Sequence, residues 1–192
     1  MIYLKNISET FQDFPDNKSL AVIVFFYGCT HNCYNCQNKE LQNYPKTSKG
    51  ITVEEAKTKI TDYCKRSNTK AIVFSGGDPY YPVNPENLRD MLTLISSLEL
   101  GGYRICVYTG YDINYVNSLY KALRDMNSHN ISMPSFCKKP SFVKCGKYED
   151  NNRDENMGKK EAEFILASKN QRFYYREDDE FLPMSSTHII RI

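Results

Sequence analysis

The sequence predicts an α/β protein with a mostly parallel sheet. Two patterns support this prediction. Strand-like apolar runs alternate three times with segments of helical periodicity, and a loop of small or polar residues follows each run. The chain has 192 residues, of which 41% are hydrophobic and 25% charged, so it suits one folded domain, or one domain with an insertion. Because parallel strands are joined by crossover helices, the loops after all three strands are expected at one edge of the sheet.

The first strand–helix unit begins with the apolar run of residues 20–27, which is rich in β-branched and aromatic side chains. Such a run is typical of a strand buried on both faces, and it is far too short to cross a bilayer, which takes about 20 residues. Thr52 is expected to begin the following helix, because Glu55 lies three residues later and completes a capping-box pattern.

The next two units repeat this arrangement. Residues 71–74 form the second predicted strand, and the helix after it is expected to start at Asn84, with Pro85 in the first helical position. Residues 104–108 form the third predicted strand, and Asp112 is expected to cap the third helix.

Regular periodicity is lost after the third helix, in a stretch that contains prolines, glycines and a polar run. We therefore interpret residues 1–192 as a single domain with an irregular insertion at 127–160. One short strand is predicted within that insertion, at 141–145, and two late strands are predicted at 164–167 and 172–175.

Charge and cysteine content argue against several function classes. The formal net charge is +2 and no long basic run occurs, so nothing in the charge favours nucleic-acid binding. The first nine residues lack the basic start and apolar stretch of a signal peptide, and we expect a soluble, cytoplasmic protein without membrane contact. Seven cysteines and no secretion signal argue against a disulfide framework. Cys64 and Cys106 fall within apolar helix and strand patterns and are expected to be buried.

Three further cysteines, Cys29, Cys33 and Cys36, stand in the spacing C-x3-C-x2-C directly after the first strand. Three thiolates on one short loop suit a cubane iron–sulfur cluster in which one iron lacks a protein ligand, whereas clusters that only transfer electrons usually have four. The open iron can bind a substrate or cofactor. A zinc site would need a fourth ligand, for which His31 is the nearest candidate, but its place inside the spacer predicts that it points away.

The loop after the second strand contains Gly76, Gly77 and Asp78. Glycine lets a backbone approach a ligand closely, and the Asp78 carboxylate and glycine carbonyls can accept hydrogen bonds from an ammonium group. Beside a cluster with an open iron, this loop would accommodate an amino-acid-like ligand. The same residues also fit an ordinary turn that ends in a proline.

Seven motifs together carry a resemblance to a known family. In chain order they are residues 13–15 (Asp-Phe-Pro), 27–29 (Tyr-Gly-Cys), Cys33, Cys36, 75–79 (Ser-Gly-Gly-Asp-Pro), 108–111 (Tyr-Thr-Gly-Tyr) and 168–172 (Ser-Lys-Asn-Gln-Arg). The chain resembles radical S-adenosylmethionine (SAM) enzymes, and more narrowly the activating proteins of anaerobic (class III) ribonucleoside-triphosphate reductases. The resemblance implies a partial, open radical-SAM-type β/α barrel with mostly parallel strands.

The resemblance also implies a mechanism. Cys29, Cys33 and Cys36 would hold a [4Fe–4S] cluster whose fourth iron binds SAM. Reductive cleavage of SAM would give a 5′-deoxyadenosyl radical, which abstracts hydrogen from a glycine of the reductase large subunit. A low-potential electron donor is implied as a second partner. Beyond the cluster ligands, no catalytic side chain is implied.

The implied SAM-binding residues lie in two loops. They are Asn35, Cys36, Gln37, Gly76, Gly77 and Asp78, with Thr109 or Tyr111 as further candidates. The sequence departs from the family at Asn35, where glycine or an aromatic residue is common, and at Asp16, where glycine commonly follows the proline.

Other functions remain open at this stage. A radical SAM enzyme could act on another glycyl-radical enzyme or on a small molecule, and the cysteines could belong to a non-catalytic metal or iron–sulfur module. Cys137 and Cys145 could belong to an auxiliary cluster, although no further cysteine pair accompanies them.

Overall fold

The structure is a computed structural model that describes residues 1–15, 20–44, 49–81, 85–128, 138–154 and 166–185. It contains seven strands, three α-helices and two 3-10 turns in these residues. In chain order they are β1 (Leu4–Thr10), β2 (Ala21–Phe26), the turn Lys39–Leu41, α1 (Val53–Arg66), β3 (Ala71–Gly76), α2 (Pro85–Leu100), β4 (Arg104–Thr109), α3 (Ile113–Ser128), β5 (Phe142–Cys145), the turn Asp150–Asn152, β6 (Arg172–Glu177) and β7 (Glu180–Pro183).

The strands form one open, mixed sheet in the order β1-β2-β3-β4-β5-β6-β7. The four strands from β2 to β5 are parallel, while β1, β6 and β7 pair antiparallel with their neighbours. The prediction of an α/β fold with parallel strands at its centre is confirmed. The carboxyl ends of β2 to β5 lie at one edge of the sheet, as expected for parallel strands.

The predicted helix starts agree with the structure where they are described. Thr52 caps α1 through a complete capping box, since its hydroxyl accepts from the Glu55 amide at 3.1 Å and Glu55 accepts in return from the Thr52 amide at 2.7 Å. Asp112 caps α3 by accepting from the Tyr115 amide at 2.8 Å. The start of α2 at Pro85 agrees with the prediction, while Asn84 lies outside the described residues. Along the described part of the chain, no helix combines the length and apolarity that a membrane crossing requires.

The late part of the chain agrees with the predictions only partly. The strands predicted at 141–145 and 172–175 are present as β5 and β6. The strand predicted at 164–167 is wrong at Leu166 and Ala167, which lie in no strand, and its first two residues lie outside the described ranges. α3 extends through Ser128 and so enters the first two residues of the predicted insertion.

Two apolar layers cover the two faces of the sheet. On one face, Val22, Val24 and Phe26 of β2 belong to the cluster that includes buried residues of α1, α2 and α3. On the other face, Ala21 and Ile23 belong to a smaller cluster with residues such as Phe14, Val73 and Phe173. This burial on both faces explains why the sequence of β2 is continuously apolar rather than alternating. Cys64 and Cys106 are buried in these layers, as predicted.

Candidate functional site

Residues from five segments of the chain line one cavity of about 130 Å³ at the carboxyl edge of the parallel strands. The three cysteines of the loop after β2 contribute to its wall, together with residues that follow β3, β4 and β5. The main lining residues are Cys29, Cys33, Cys36, Gly76, Gly77, Asp78, Thr109, Gly110, Gly146, Lys147, Tyr148 and Gln171. The prediction that the loops after the three strands meet at one edge is therefore confirmed.

The donor set of this cavity suits an iron–sulfur cluster. Thiolates are soft ligands that favour such clusters, and three of them face one cavity. Among the described residues, no three or more His, Cys, Asp or Glu side chains are grouped closely enough to hold a single metal ion. A cubane cluster binds each cysteine through a different iron, so its ligands surround a larger body than one ion.

Burial raises the pKa of two of the thiols. Loss of hydration raises the pKa of Cys29 to about 11, and the negative charge of Asp78 adds to this rise, while a hydrogen bond from the backbone of His31 opposes it. Burial also raises the pKa of Cys33, and a hydrogen bond from the backbone of Tyr148 opposes that rise. Because only thiolates bind metal, loading the site requires these protons to leave.

The first half of the cysteine loop (residues 29–36) is anchored by His31. Its Nε2 lies 2.6 Å from Oδ2 of Asp78, and since a carboxylate only accepts hydrogen bonds, Nε2 must donate. The same oxygen accepts from the Thr109 hydroxyl and from the Gly110 amide, each at 2.8 Å. A Cβ at Gly110 would collide with the imidazole, so glycine is required there for His31 to enter. The partner of His31 is therefore Asp78, while the ring also lines the cavity, and its predicted orientation away from the thiols stays a prediction.

Close backbone contact joins the cysteine loop to the loop after β3. The Gly77 amide donates to the carbonyl of Phe26 at 2.8 Å, and the Asp78 amide donates to the carbonyl of Gly28 at 2.7 Å. A Cβ at Gly77 would collide with that Gly28 carbonyl oxygen. The glycine pair therefore serves backbone packing in addition to lining the cavity.

The predicted role of Asp78 as a ligand for an ammonium group stays a prediction. Its carboxylate is 3% exposed and already accepts four hydrogen bonds, three at Oδ2 and one at Oδ1 from the Tyr80 amide at 2.9 Å. Thr109 lines the cavity, as anticipated. The ring of Tyr111 instead packs edge-on against His31, with centroids 4.5 Å apart.

Asn35 and Gln37, predicted to lie near the cofactor, have different surroundings. Gln37 lines a second cavity of about 370 Å³, which also borders Cys36 and Phe25, a residue of β2. Asn35 is exposed and has a positive φ of 53°, a conformation that asparagine tolerates better than most residues. Its side-chain amide donates to Asp150 at 3.0 Å.

Lys144 is a site residue that the sequence analysis missed. It lies on β5, is 7% exposed and borders both cavities, with its ammonium group 4.3 Å from the centre of the Tyr108 ring. Burial lowers the pKa of Lys144 to about 8, and the negative charge of Asp13 opposes this shift. A lysine inside the short apolar run Phe142–Cys145 was the signal that could have revealed it.

Of the two cysteines considered for an auxiliary cluster, Cys145 lies among the described residues and Cys137 does not. Cys145 is buried in the layer between sheet and helices, and burial raises its pKa to about 12. Cys137 lies outside the described residues.

We expect Asp78→Asn to lower the free energy of unfolding by about 2 kcal/mol, because both carboxylate oxygens accept hydrogen bonds and the NH2 group of asparagine would face a donor in either orientation. For a chain of this size the melting temperature should fall by about 6 °C, measurable by circular dichroism. Asp112→Asn is the matched control, since asparagine caps helices as well as aspartate does. Equal melting temperatures for the two variants would contradict the anchoring role of Asp78.

Comparisons with known proteins support the presence of an iron–sulfur cluster domain in this chain. Residues 18–172 match the family model described as a 4Fe-4S single cluster domain. A Salmonella typhimurium protein named anaerobic ribonucleoside-triphosphate reductase-activating protein is 31% identical over 117 residues, which cover 59% of this chain and 73% of that protein. Proteins of the same name from Escherichia coli (28% over 122 residues, 59% and 73% covered) and Enterobacteria phage T4 (25% over 107 residues, 56% and 67% covered) are also similar.

Proposed function

Because this chain belongs to the family of anaerobic ribonucleoside-triphosphate reductase-activating proteins, we propose that it is a radical SAM activase that generates a glycyl radical on an anaerobic ribonucleoside-triphosphate reductase. The observation that carries this proposal is the convergence of three thiols on one cavity, next to the glycine-rich loop after β3. The family resemblance predicted from the sequence is confirmed by the comparisons.

The residues of the cavity have distinct proposed roles. Cys29, Cys33 and Cys36 hold the [4Fe–4S] cluster. When bound, the cluster and SAM would supply one-electron reductive chemistry, in which an electron from the reduced cluster breaks the C5′–S bond of SAM to give methionine and a 5′-deoxyadenosyl radical. The protein holds these groups in register and keeps water away from the radical.

The SAM site is proposed to lie between the cysteine loop and the loop after β3. The carbonyls of Gly76 and Gly77 accept hydrogen bonds from the amino group of SAM. Oδ1 of Asp78 contributes as well, because among the described residues it accepts from one backbone amide and a carboxylate oxygen can accept a second hydrogen bond. The backbone at Asn35, Cys36 and Gln37 lies against the rest of the cofactor.

The proposed fold is a partial radical-SAM-type barrel that stays open on one side. The described sheet has two ends, β1 and β7, that do not pair with each other. The second cavity, of about 370 Å³, borders Cys36 and is lined by residues of the parallel strands β2, β3, β4 and β5. We propose that a glycine-bearing loop of the reductase large subunit enters here.

A low-potential electron donor reduces the cluster, and the protein acts in the cytoplasm as a single domain of residues 1–192. The net charge of +2 gives no electrostatic reason to propose nucleic-acid binding, and no membrane partner is proposed.

The decisive experiment is anaerobic reconstitution of the protein with iron, sulfide and SAM, followed by reduction in the presence of the candidate reductase. We expect 5′-deoxyadenosine and a glycyl radical signal in electron paramagnetic resonance. Formation of 5′-deoxyadenosine without the glycyl signal would indicate another target, such as a different glycyl-radical enzyme or a small molecule. A cluster whose spectrum does not respond to SAM would indicate a non-catalytic iron–sulfur module.

A further inference from the structure

A row of four side chains crosses the parallel strands and lines the second cavity. The register pairs Phe25 of β2 with Ser75 of β3, and Tyr108 of β4 with Lys144 of β5. Because side chains alternate between the two faces of a strand, Ser75 lies on the same face as Val73, which belongs to the smaller apolar cluster. The row therefore forms one wall of the cavity, and Ser75 is its one small polar side chain.

Two polar side chains of this cavity make no hydrogen bond within the described parts of the chain. Ser75 is only 9% exposed, and its hydroxyl has no partner there. Asn38 is half-buried and precedes the turn Lys39–Leu41, which its side chain does not cap. The hydroxyl of Tyr108, by contrast, donates to the carbonyl of Asp13. Because largely buried polar groups normally have a partner, Ser75 and Asn38 suit a ligand that brings both donors and acceptors.

Asn38 places such a ligand next to the cluster site. Five residues line both cavities, namely Cys36, Asn38, Tyr108, Lys144 and Tyr148. A group that is hydrogen-bonded to the side chain of Asn38 would therefore lie at the boundary between the cavity of the three thiols and the second cavity. A hydrogen atom that passes from a substrate to a radical formed at the cluster must cross this boundary.

Glycine has no side chain, so an enzyme that acts on its Cα can hold that residue only through backbone N–H and C=O groups. We propose that the Ser75 hydroxyl and the Asn38 side-chain amide bind the peptide groups on the two sides of the target glycine. This inference rests on the proposed function. Both side chains are neutral and can donate as well as accept hydrogen bonds, so each can pair with either peptide group. With about 370 Å³, the cavity is near the lower end of ligand sites, which span roughly 300–1,000 Å³, and it suits a short segment of chain.

Two variants remove these hydrogen bonds with little expected effect on the fold. Ser75→Ala deletes the hydroxyl, and Asn38→Ala deletes a side chain that does not cap the turn after it. Ser75→Thr keeps the hydroxyl and adds a methyl group that a strand tolerates. Ser97→Ala on α2 is the matched control, because it loses a hydroxyl that bonds the carbonyl of Leu94 at 2.9 Å and lies outside both cavities.

The kinetic test titrates the reconstituted protein with the large subunit of the candidate reductase. We expect KM for that subunit to rise about fivefold in Ser75→Ala and in Asn38→Ala, with kcat for glycyl radical formation near the wild-type value, because each variant loses one neutral hydrogen bond to the substrate. Release of 5′-deoxyadenosine without the reductase should be unchanged in both. Ser75→Thr should recover most of the KM effect, and Ser97→Ala should match the wild type.

A cross-linking test does not depend on activity. Phe25→p-benzoylphenylalanine places a photoreactive group opposite Ser75 in the register. Irradiation of this metal-free variant with the reductase large subunit should give a cross-link within a few residues of the target glycine, which mass spectrometry can locate. The same replacement at Leu100 is the control, since Leu100 is 60% exposed and ends α2 shortly before β4 begins, toward the opposite edge of the sheet. It should give no cross-link to that segment.

An unchanged KM in either alanine variant would overturn this inference alone, because that side chain would then face only water. Slower 5′-deoxyadenosine release without the reductase would also overturn it, since the side chain would then serve SAM. A Phe25 cross-link confined to other parts of the reductase would have the same consequence. A wild-type protein that forms no glycyl radical on the reductase would overturn the proposed function and, with it, this inference.

Discussion

Replacing any one of Cys29, Cys33 and Cys36 by serine is expected to remove the cluster and to lower SAM cleavage by more than about a hundredfold. Partners that only support metal ligands are typically worth 10–100-fold in metal affinity or activity, so a ligand itself should be worth more. The three thiols share one cavity, and among the described residues no other cysteine lines it. Iron and sulfide content, visible absorption and 5′-deoxyadenosine release would measure the loss.

Cys64→Ala is the matched control for these variants. Cys64 is fully buried in α1, far along the chain from the cysteine loop, and burial raises the pKa of its thiol to about 12. Its removal should cost about 1 kcal/mol of stability through the small cavity that it leaves, with cluster content unchanged. A serine variant of the loop that retains a full cluster and SAM cleavage would refute the assignment of that cysteine.

Gly77→Ala is expected to lower the free energy of unfolding by about 3 kcal/mol and to impair cofactor binding at the same time. The added Cβ would collide with the carbonyl oxygen of Gly28, which is backbone and cannot move as a flexible side chain does. The collision would also push Gly28 away from the amide of Asp78, to which its carbonyl is bonded at 2.7 Å. The melting temperature should fall by about 10 °C, and SAM affinity should fall with it.

Gly102→Ala separates crowding from the ordinary cost of replacing a glycine. Gly102 has a positive φ of 80°, but a Cβ there would meet nothing within 4 Å. The substitution should therefore cost only the left-handed backbone conformation, about 1 kcal/mol, with SAM affinity unchanged. If Gly77→Ala proves no more destabilising than Gly102→Ala, the close approach of the two loops is not needed for folding.

The central strands and helices could be predicted because their sequence signals are local. β2 is apolar throughout since both of its faces are covered, and Thr52 and Glu55 sit in one helical turn. The outer strands could not be predicted in the same way. β1 alternates weakly and is rich in polar residues, and β7 has only four residues, so neither shows the pattern of a buried strand.

In the candidate site, too, the features with a local sequence signal could be predicted and the long-range contacts could not. The cysteine spacing and the glycine pair are short motifs, and the structure brings both to one cavity. The bond between His31 and Asp78 joins residues 47 positions apart, and it depends on the absence of a side chain at Gly110. Spacing along the chain carries no information on such a contact. The same holds for Asn35 and Asp150, which lie 115 positions apart.

The two outermost strands of the described sheet bear on self-association. The outer side of an edge strand exposes unpaired backbone groups that can bind a strand of another chain and start aggregation. Here β1 carries Lys5 and Glu9, while β7 ends at Pro183, which has no amide hydrogen to offer. Charge on one border and proline on the other hinder the addition of a foreign strand, so the sheet can stay unclosed without becoming a template for fibrils.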